Sequence, residues 1–123
     1  METENTVSIW IGNFATKLDL DEFINLKYDE EGEVVPSLFY NQYNIDIDDI
    51  YDYLIEKEAF EISFTNLFDM LKEASYNNII VNNLKQKGIN PNIEPNNALI
   101  LIYNYQFDSN TLRTINTEFI ATV

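Results

Sequence analysis

The 123-residue sequence predicts an α+β domain: a small, mainly antiparallel sheet, made of an N-terminal strand and a C-terminal β-hairpin, packed with four to five helices. Three observations carry this expectation. Apolar residues alternate with a period of two at both ends of the chain, and between them they recur at helical intervals. One run near the C-terminal end, residues 98–105, is apolar on both faces, as a central strand covered by helices requires. With 46% hydrophobic and 14% aromatic residues the chain reads as one domain, residues 1–123, with enough apolar side chains for a core.

The elements follow in order. Val7, Ile9 and Ile11 alternate with Ser8 and Trp10 in a strand that ends at Gly12-Asn13. Asp19-Leu20-Asp21-Glu22 has capping-box spacing, and Leu20, Phe23, Ile24 and Tyr28 continue it at helical intervals, so a first helix is expected over 19–28. Asp29-Glu30-Glu31-Gly32-Glu33 reads as an exposed acidic loop. Pro36-Ser37 opens a short second helix carrying Leu38, Phe39 and Tyr43. Ile47, Ile50, Tyr51, Leu54 and Ile55 then fall on the stripe of an amphipathic helix. Phe64, Leu67, Phe68 and Leu71 mark another helix. Tyr76, Ile79, Ile80 and Leu84 mark a last one, from Ser75 as N-cap to Gly88, with Lys85 and Lys87 complementing the dipole. Asn90-Pro91 and Glu94-Pro95-Asn96-Asn97 break the helical pattern. Ala98 to Tyr105 forms the central strand, and Ile115, Thr117, Phe119, Ala121 and Val123 form a last strand with one buried face. Phe107-Asp108-Ser109-Asn110 is expected to join these two as a hairpin.

Composition excludes several function classes. The chain has 21 acidic and 7 basic residues, a net charge of −14, so nucleic acid and anionic membranes are poor partners. There is no cysteine and no histidine, which removes disulfides, thiolate metal sites, the usual general base and every Ser-His or Cys-His pair. Phosphate loops and the GxSxG and HExxH motifs are missing as well, and an open acidic surface gives no carboxyl the cleft that glycoside hydrolysis needs. Asn44-x-Asp46-x-Asp48 opens like a calcium loop. It fails where glycine is required, at Asp49, and where the bidentate glutamate belongs, at Ile55. The expectation is therefore no enzyme, no catalytic residue, no cofactor and no metal. The acidic start at Met1-Glu2-Thr3-Glu4-Asn5 is unlike a secretory signal, and no apolar run approaches the ~20 residues that span a bilayer, so a cytoplasmic protein is expected.

Charge is also unevenly placed. Residues 18–61 hold 14 acidic residues against Lys27 and Lys57, a net of −12, while the stretches on either side carry −1 each. On the expected helix, Asp48, Asp52 and Glu56 stand at i, i+4 and i+8 with no lysine between them. Such like-charge pairs cost a helix ~0.2–0.5 kcal/mol each, and carboxylates near the helix start recover part of that through the dipole. A ridge that repels itself suits a cationic partner, and aromatic residues beside it are common in protein interfaces. The candidate binding residues are Asp48, Asp49, Asp52, Tyr53 and Glu56, with Asp29, Glu30 and Glu31 as an electrostatic steering element. Tyr51 falls on the apolar stripe and reads as packing.

Several segments, in order and spacing, resemble the bacterial immunity protein 22 family of polymorphic toxin systems. Val7-Ser8-Ile9-Trp10-Ile11-Gly12-Asn13-Phe14 is similar to its first strand and Trp-x-Gly-Asn-Phe signature, and Ser37-Leu38-Phe39 to its Ser-x-Phe helix start. Tyr51-Asp52 followed by Ile55-Glu56 resembles its Tyr-Asp-x-Asp-Phe-Ile-Glu motif. Ser75-Tyr76, Gly88-Ile89 and Asn97 before residues 98–105 resemble its second half, so the likeness runs over about 7–121. The motif's second aspartate is Leu54 here, with Tyr53 before it; a contact made by that aspartate in relatives would pass to Asp49. The resemblance implies a protein that binds a cognate toxin's C-terminal domain, blocks its active site and performs no chemistry of its own. A nuclease, or another toxin with a basic groove, would complement the acidic surface and be captured quickly. An acidic DNA mimic that occupies nucleic-acid-binding sites is the alternative, and genes for a secreted toxin or for phage proteins nearby would separate the two.

Overall fold

The computed structural model describes residues 2–35 and 37–123; Pro36, expected to open the second helix, lies outside them. Among the described residues four strands form one antiparallel sheet: β1 Glu2–Gly12, β4 Ile55–Asn66, β5 Asn92–Tyr105 and β6 Thr117–Thr122, in the order β4-β5-β1-β6. The short strands β2 Lys27–Tyr28 and β3 Val34–Val35 pair separately as a small hairpin. The described residues also form four α-helices: α1 Lys17–Ile24, α2 Leu38–Tyr43, α3 Leu67–Leu71 and α4 Asn77–Lys87.

The two-residue period of the central strands divides the core. Trp10, Ile100 and Ile102 project to one face, where Leu20, Phe23 and Ile24 of α1 and Phe39, Tyr40 and Tyr43 of α2 cover them. Ile9, Ile11, Leu99 and Leu101 project to the other, against Leu67, Met70 and Leu71 of α3 and Ile80 and Leu84 of α4. The sheet is thus the middle of three layers, and β5 is buried on both faces as its sequence requires. Trp10, fully buried, is the hub of its face: the rings of Phe39, Tyr43, Phe107 and Phe119 surround it edge-on at 5.1–5.9 Å. Gly12 pairs with both Ala98 and Thr117, and a Cβ there would stand 2.7 Å from the Asn116 carbonyl oxygen, so only glycine fits. The Asn97 side chain locks the following turn: its Nδ2 donates to the Phe14 carbonyl at 2.7 Å and its Oδ1 accepts from the Phe14 amide at 2.9 Å.

Several expectations change. The two C-terminal strands do not form a hairpin with each other; β1 lies between them, pairing Ile9 with Leu101 on one side and with Ala121 on the other. A central β1 has both ladders satisfied, which a terminal hairpin would deny it. A bulge opposite Ile9 and Trp10 sends Phe119 to the Trp10 face and Ala121 to the other, and Ile115 is 99% exposed, so β6 has no single buried face. Helix α1 starts earlier than expected because Thr16, not Asp19, is its cap: Thr16 Oγ1 accepts from the Asp19 amide at 3.1 Å. It stops at Ile24 because α2 takes over its last carbonyls, with Tyr40 Oη donating to Ile24 at 2.7 Å and Ser37 Oγ to Asn25. Helix α4 starts two residues after Ser75, with Tyr76 as its cap, and ends as expected at Gly88, which has φ 79°.

The helix expected over 47–56 does not form. Two 3₁₀ turns, Ile47–Asp49 and Asp52–Leu54, are separated by extended Ile50 and Tyr51, and the chain then enters β4. Pairing with β5 explains this: β4 runs alongside it from Ile55 opposite Ile102 to Ala59 opposite Ala98, completing β5's second ladder, and the carboxylates never line up as like charges on a helix. Residues 60–63 bulge outward before pairing resumes at Phe64, so α3 begins at Leu67.

Candidate functional site

Charge segregates by layer. The net −12 of residues 18–61 belongs to the segment that builds α1, the β2–β3 hairpin, α2 and the two 3₁₀ turns on the Trp10 face and then enters β4. The helices of the opposite face, residues 67–87, carry two acidic and three basic residues. Both lysines inside the acidic segment are drawn to α1 carboxylates, Lys57 to Asp21 and Lys27 to Glu22, each at 3.6 Å.

The sequence-predicted binding residues do not form one ridge. Asp48 is exposed on the first 3₁₀ turn, which Asp46 caps by accepting from the Asp48 amide at 2.9 Å. Asp49 is half-buried and its charge reaches both Tyr51 and Tyr105. Asp52 is exposed on the second turn and faces Tyr40, whose phenol is pushed up mainly by burial and further by that carboxylate. Tyr53 is 81% exposed, its ring 5.7 Å from that of Tyr51. Tyr51 itself is exposed rather than packed in the core, and the Glu2 carboxylate beside it raises its phenol above the ordinary value.

Glu56 is the clearest departure. On β4 its half-buried side chain is engaged by the protein itself: it accepts from Tyr103 Oη at 2.5 Å, from Ser75 Oγ at 3.0 Å and from the Ser75 amide at 3.2 Å. The bond ties β4 and β5 to the segment leading into α4. Burial raises the Tyr103 phenol first, and the hydrogen bond and charge of Glu56 raise it further. The steering residues are placed as expected, on an exposed turn, but that turn is built: Asp29 Oδ1 accepts from the amides of Glu31 and Glu33 at 2.9 and 3.0 Å, leaving Glu30 and Glu31 to project from the hairpin.

Beside Tyr53, where β4 begins and β5 ends, a groove of about 860 Å³ is lined by Tyr53, Glu56, Ser75, Tyr76, Ile79 and Tyr103. Tyr76 is 59% and Ile79 62% exposed, and Tyr76 meets Tyr103 edge-on at 5.6 Å. Sequence reasoning missed Tyr76, Ile79 and Tyr103 as surface features, reading them only as helix and strand positions. It also missed Glu2, whose carboxylate reaches Tyr51 from a distant part of the chain, and Asp108, whose charge acts on nearby Tyr105. Among the described residues no cluster of three or more acidic side chains is gathered as a metal-binding group, and no helix is long and apolar enough to cross a membrane.

The residues that carry the family likeness are explained by the fold: Trp10 and Gly12 build the centre and end of β1, Asn13 and Phe14 the turn after it, Ser37 secures α2, and Asn97 clamps that turn. No curated protein and no solved structure matches the chain. The family model described as Immunity protein 22 matches residues 7–123. With that match running from Val7 in β1 through β4, β5 and β6 and helices α1 to α4, the chain belongs to the immunity protein 22 family.

Proposed function

We propose that this immunity protein acts in the cytoplasm by binding the C-terminal domain of a cognate bacterial toxin and covering a basic surface on it, such as a nuclease groove. The observation that carries the reading is the layered charge: residues 18–54, with 11 acidic residues against Lys27, build one layer, beside a nearly neutral opposite layer. A generally solubilising charge would be spread over both. Asp48, Asp49, Asp52 and Tyr53 are the proposed contacts on the 3₁₀ turns, with Glu56 in the adjoining groove. Asp29, Glu30 and Glu31 act at longer range, speeding encounter rather than holding the complex. Short 3₁₀ turns pinned by Asp46 and by buried Ile50 present these carboxylates with less entropy to lose than a flexible loop.

Co-expression with the toxin domain encoded beside the gene, followed by pull-down and binding kinetics, tests this. The complex should form without added cofactor, and exchanging Asp48 and Asp52 together for asparagine should weaken it. If the two carboxylates pair with buried cations of the toxin, each loss should cost about 2–5 kcal/mol and appear in the off-rate. Exchanging Glu30 and Glu31 for glutamine should slow association at low salt and matter little at high salt. Unchanged kinetics in the aspartate double variant would refute the assigned contact surface.

A further inference from the structure

We infer that the groove between Tyr53 and Tyr76 is the anchor of the toxin interface and that its occupant is an arginine side chain of the toxin; this rests on the immunity reading above. Three large side chains, Tyr53, Tyr76 and Ile79, stand exposed around this one groove, while Tyr103, the other tyrosine that lines it, is half-buried. Pockets that lose their water on binding, not broad charged surfaces, usually hold most of a binding energy.

The chemistry of the lining selects the occupant. Tyr53, Tyr76 and Tyr103 line the groove together with the Glu56 carboxylate, which Tyr103 and Ser75 hold so that it needs no reordering to receive a partner. Three donors occupy it, from Tyr103 Oη, Ser75 Oγ and the Ser75 amide, which leaves about one of a carboxylate's four or so acceptor positions for an incoming group. Lys57, the cation that also borders the groove, is engaged by Asp21 at 3.6 Å. An apolar anchor would strip water from Glu56 and return no charge, which is unfavourable. A guanidinium answers both demands, because it stacks flat on tyrosine and donates to a carboxylate, while a compact ammonium does the first less well. The exposed carboxylates of the 3₁₀ turns then surround the anchor as a rim.

The test uses the whole chain and the toxin domain encoded beside it, with melting curves as a folding control. Tyr53→Leu and Tyr76→Leu keep apolar bulk but remove the aromatic face, and each should raise the dissociation constant about three- to tenfold. Tyr53→Phe and Tyr76→Phe keep the face and should recover most of that loss. Leucine variants that bind as well as the phenylalanine variants would overturn the inference, since nothing would then depend on ring faces. Equal weakening by phenylalanine would overturn it too, by placing the hydroxyls in the contact. Wild-type protein that does not bind the toxin at all would sink the immunity reading itself, an outcome distinct from normal wild-type binding with indifferent groove variants.

Discussion

Replacing Glu56 by glutamine should destabilise the free protein, although a residue on a repulsive acidic ridge would do the opposite. The carboxylate holds three donors from two other segments: Tyr103 Oη at 2.5 Å, Ser75 Oγ at 3.0 Å and the Ser75 amide at 3.2 Å. Hydrogen bonds to a charged group contribute about 1.5–3 kcal/mol each when well buried. Here Ser75 is exposed and its two donors can turn to water, so the half-buried Tyr103 hydroxyl dominates the cost. Glutamine keeps one acceptor oxygen but sets an NH₂ group against the remaining donors, for an expected loss of about 1–2 kcal/mol; alanine, which strands the Tyr103 hydroxyl, should cost about 2–3 kcal/mol. Asp48→Asn is the internal control, because its exposed side chain sits among like charges and its removal should change stability by less than about 0.5 kcal/mol. Urea titration reads the difference as a midpoint shift at constant slope. A domain of this size should lose about 3–5 °C of melting temperature per kcal/mol. The same variants provide an independent check, since burial will still raise the Tyr103 phenol but the contribution of the carboxylate will be gone, so it should ionise at lower pH than in the parent. A glutamine variant as stable as the parent, with Tyr103 titration unmoved, would refute the assignment of Glu56 as a structural tie.

Two further outcomes are expected. Trp10→Ala, which empties the centre of a five-ring cluster, should cost about 3–5 kcal/mol, so soluble protein and protection against the toxin should fall together; normal abundance with lost protection would show that Trp10 has a contact role instead. Stability should hold up to about pH 10 and then decline, because burial raises the phenols of Tyr40, Tyr43, Tyr103 and Tyr105 above the ordinary value. Their ionised forms are favoured in the unfolded chain, which therefore binds fewer protons there, and each such group removes up to about 1.4 kcal/mol per pH unit until its folded-state value is passed. Denaturant midpoints measured across the alkaline range, alongside tyrosinate absorbance, check both the sign and the window.

The parts of the fold that were legible in the sequence are those decided by local chemistry. Alternation around Trp10, the apolar run from Ala98 to Tyr105, and Gly88 with two lysines before it each specify their element without help from distant residues. The segment from Ile47 to Asn66 was not legible in this way. Its apolar spacing fits a helix, yet the open edge of β5 offers a ladder that the spacing cannot reveal, and the ladder prevails. The exchange of neighbours among β1, β5 and β6 is likewise a matter of which strand fills the gap between two others. The candidate site follows the same division. The acidity of the segment and the exposure of Asp48, Asp52 and Tyr53 were readable from composition, whereas the bonding of Glu56 to Tyr103 and Ser75 depends on a strand in place of a helix, and the groove depends on α4 meeting the ends of β4 and β5.

The central position of β1 has a consequence for the timing of protection. Its ladders are supplied by β5 and β6, and Val7 exchanges both backbone hydrogen bonds with Val123, at 2.8 and 2.9 Å. β1 precedes both of its partners in the chain and thus waits for them, and loop closures of that length slow the search for the native pairing. While it waits, Trp10, Ile9 and Ile11 have no sheet to cover them, and a nascent chain held on the ribosome cannot complete either core. Any surface that depends on the sheet, the groove beside Tyr53 and Tyr103 included, therefore belongs to the finished fold and not to a partly made chain.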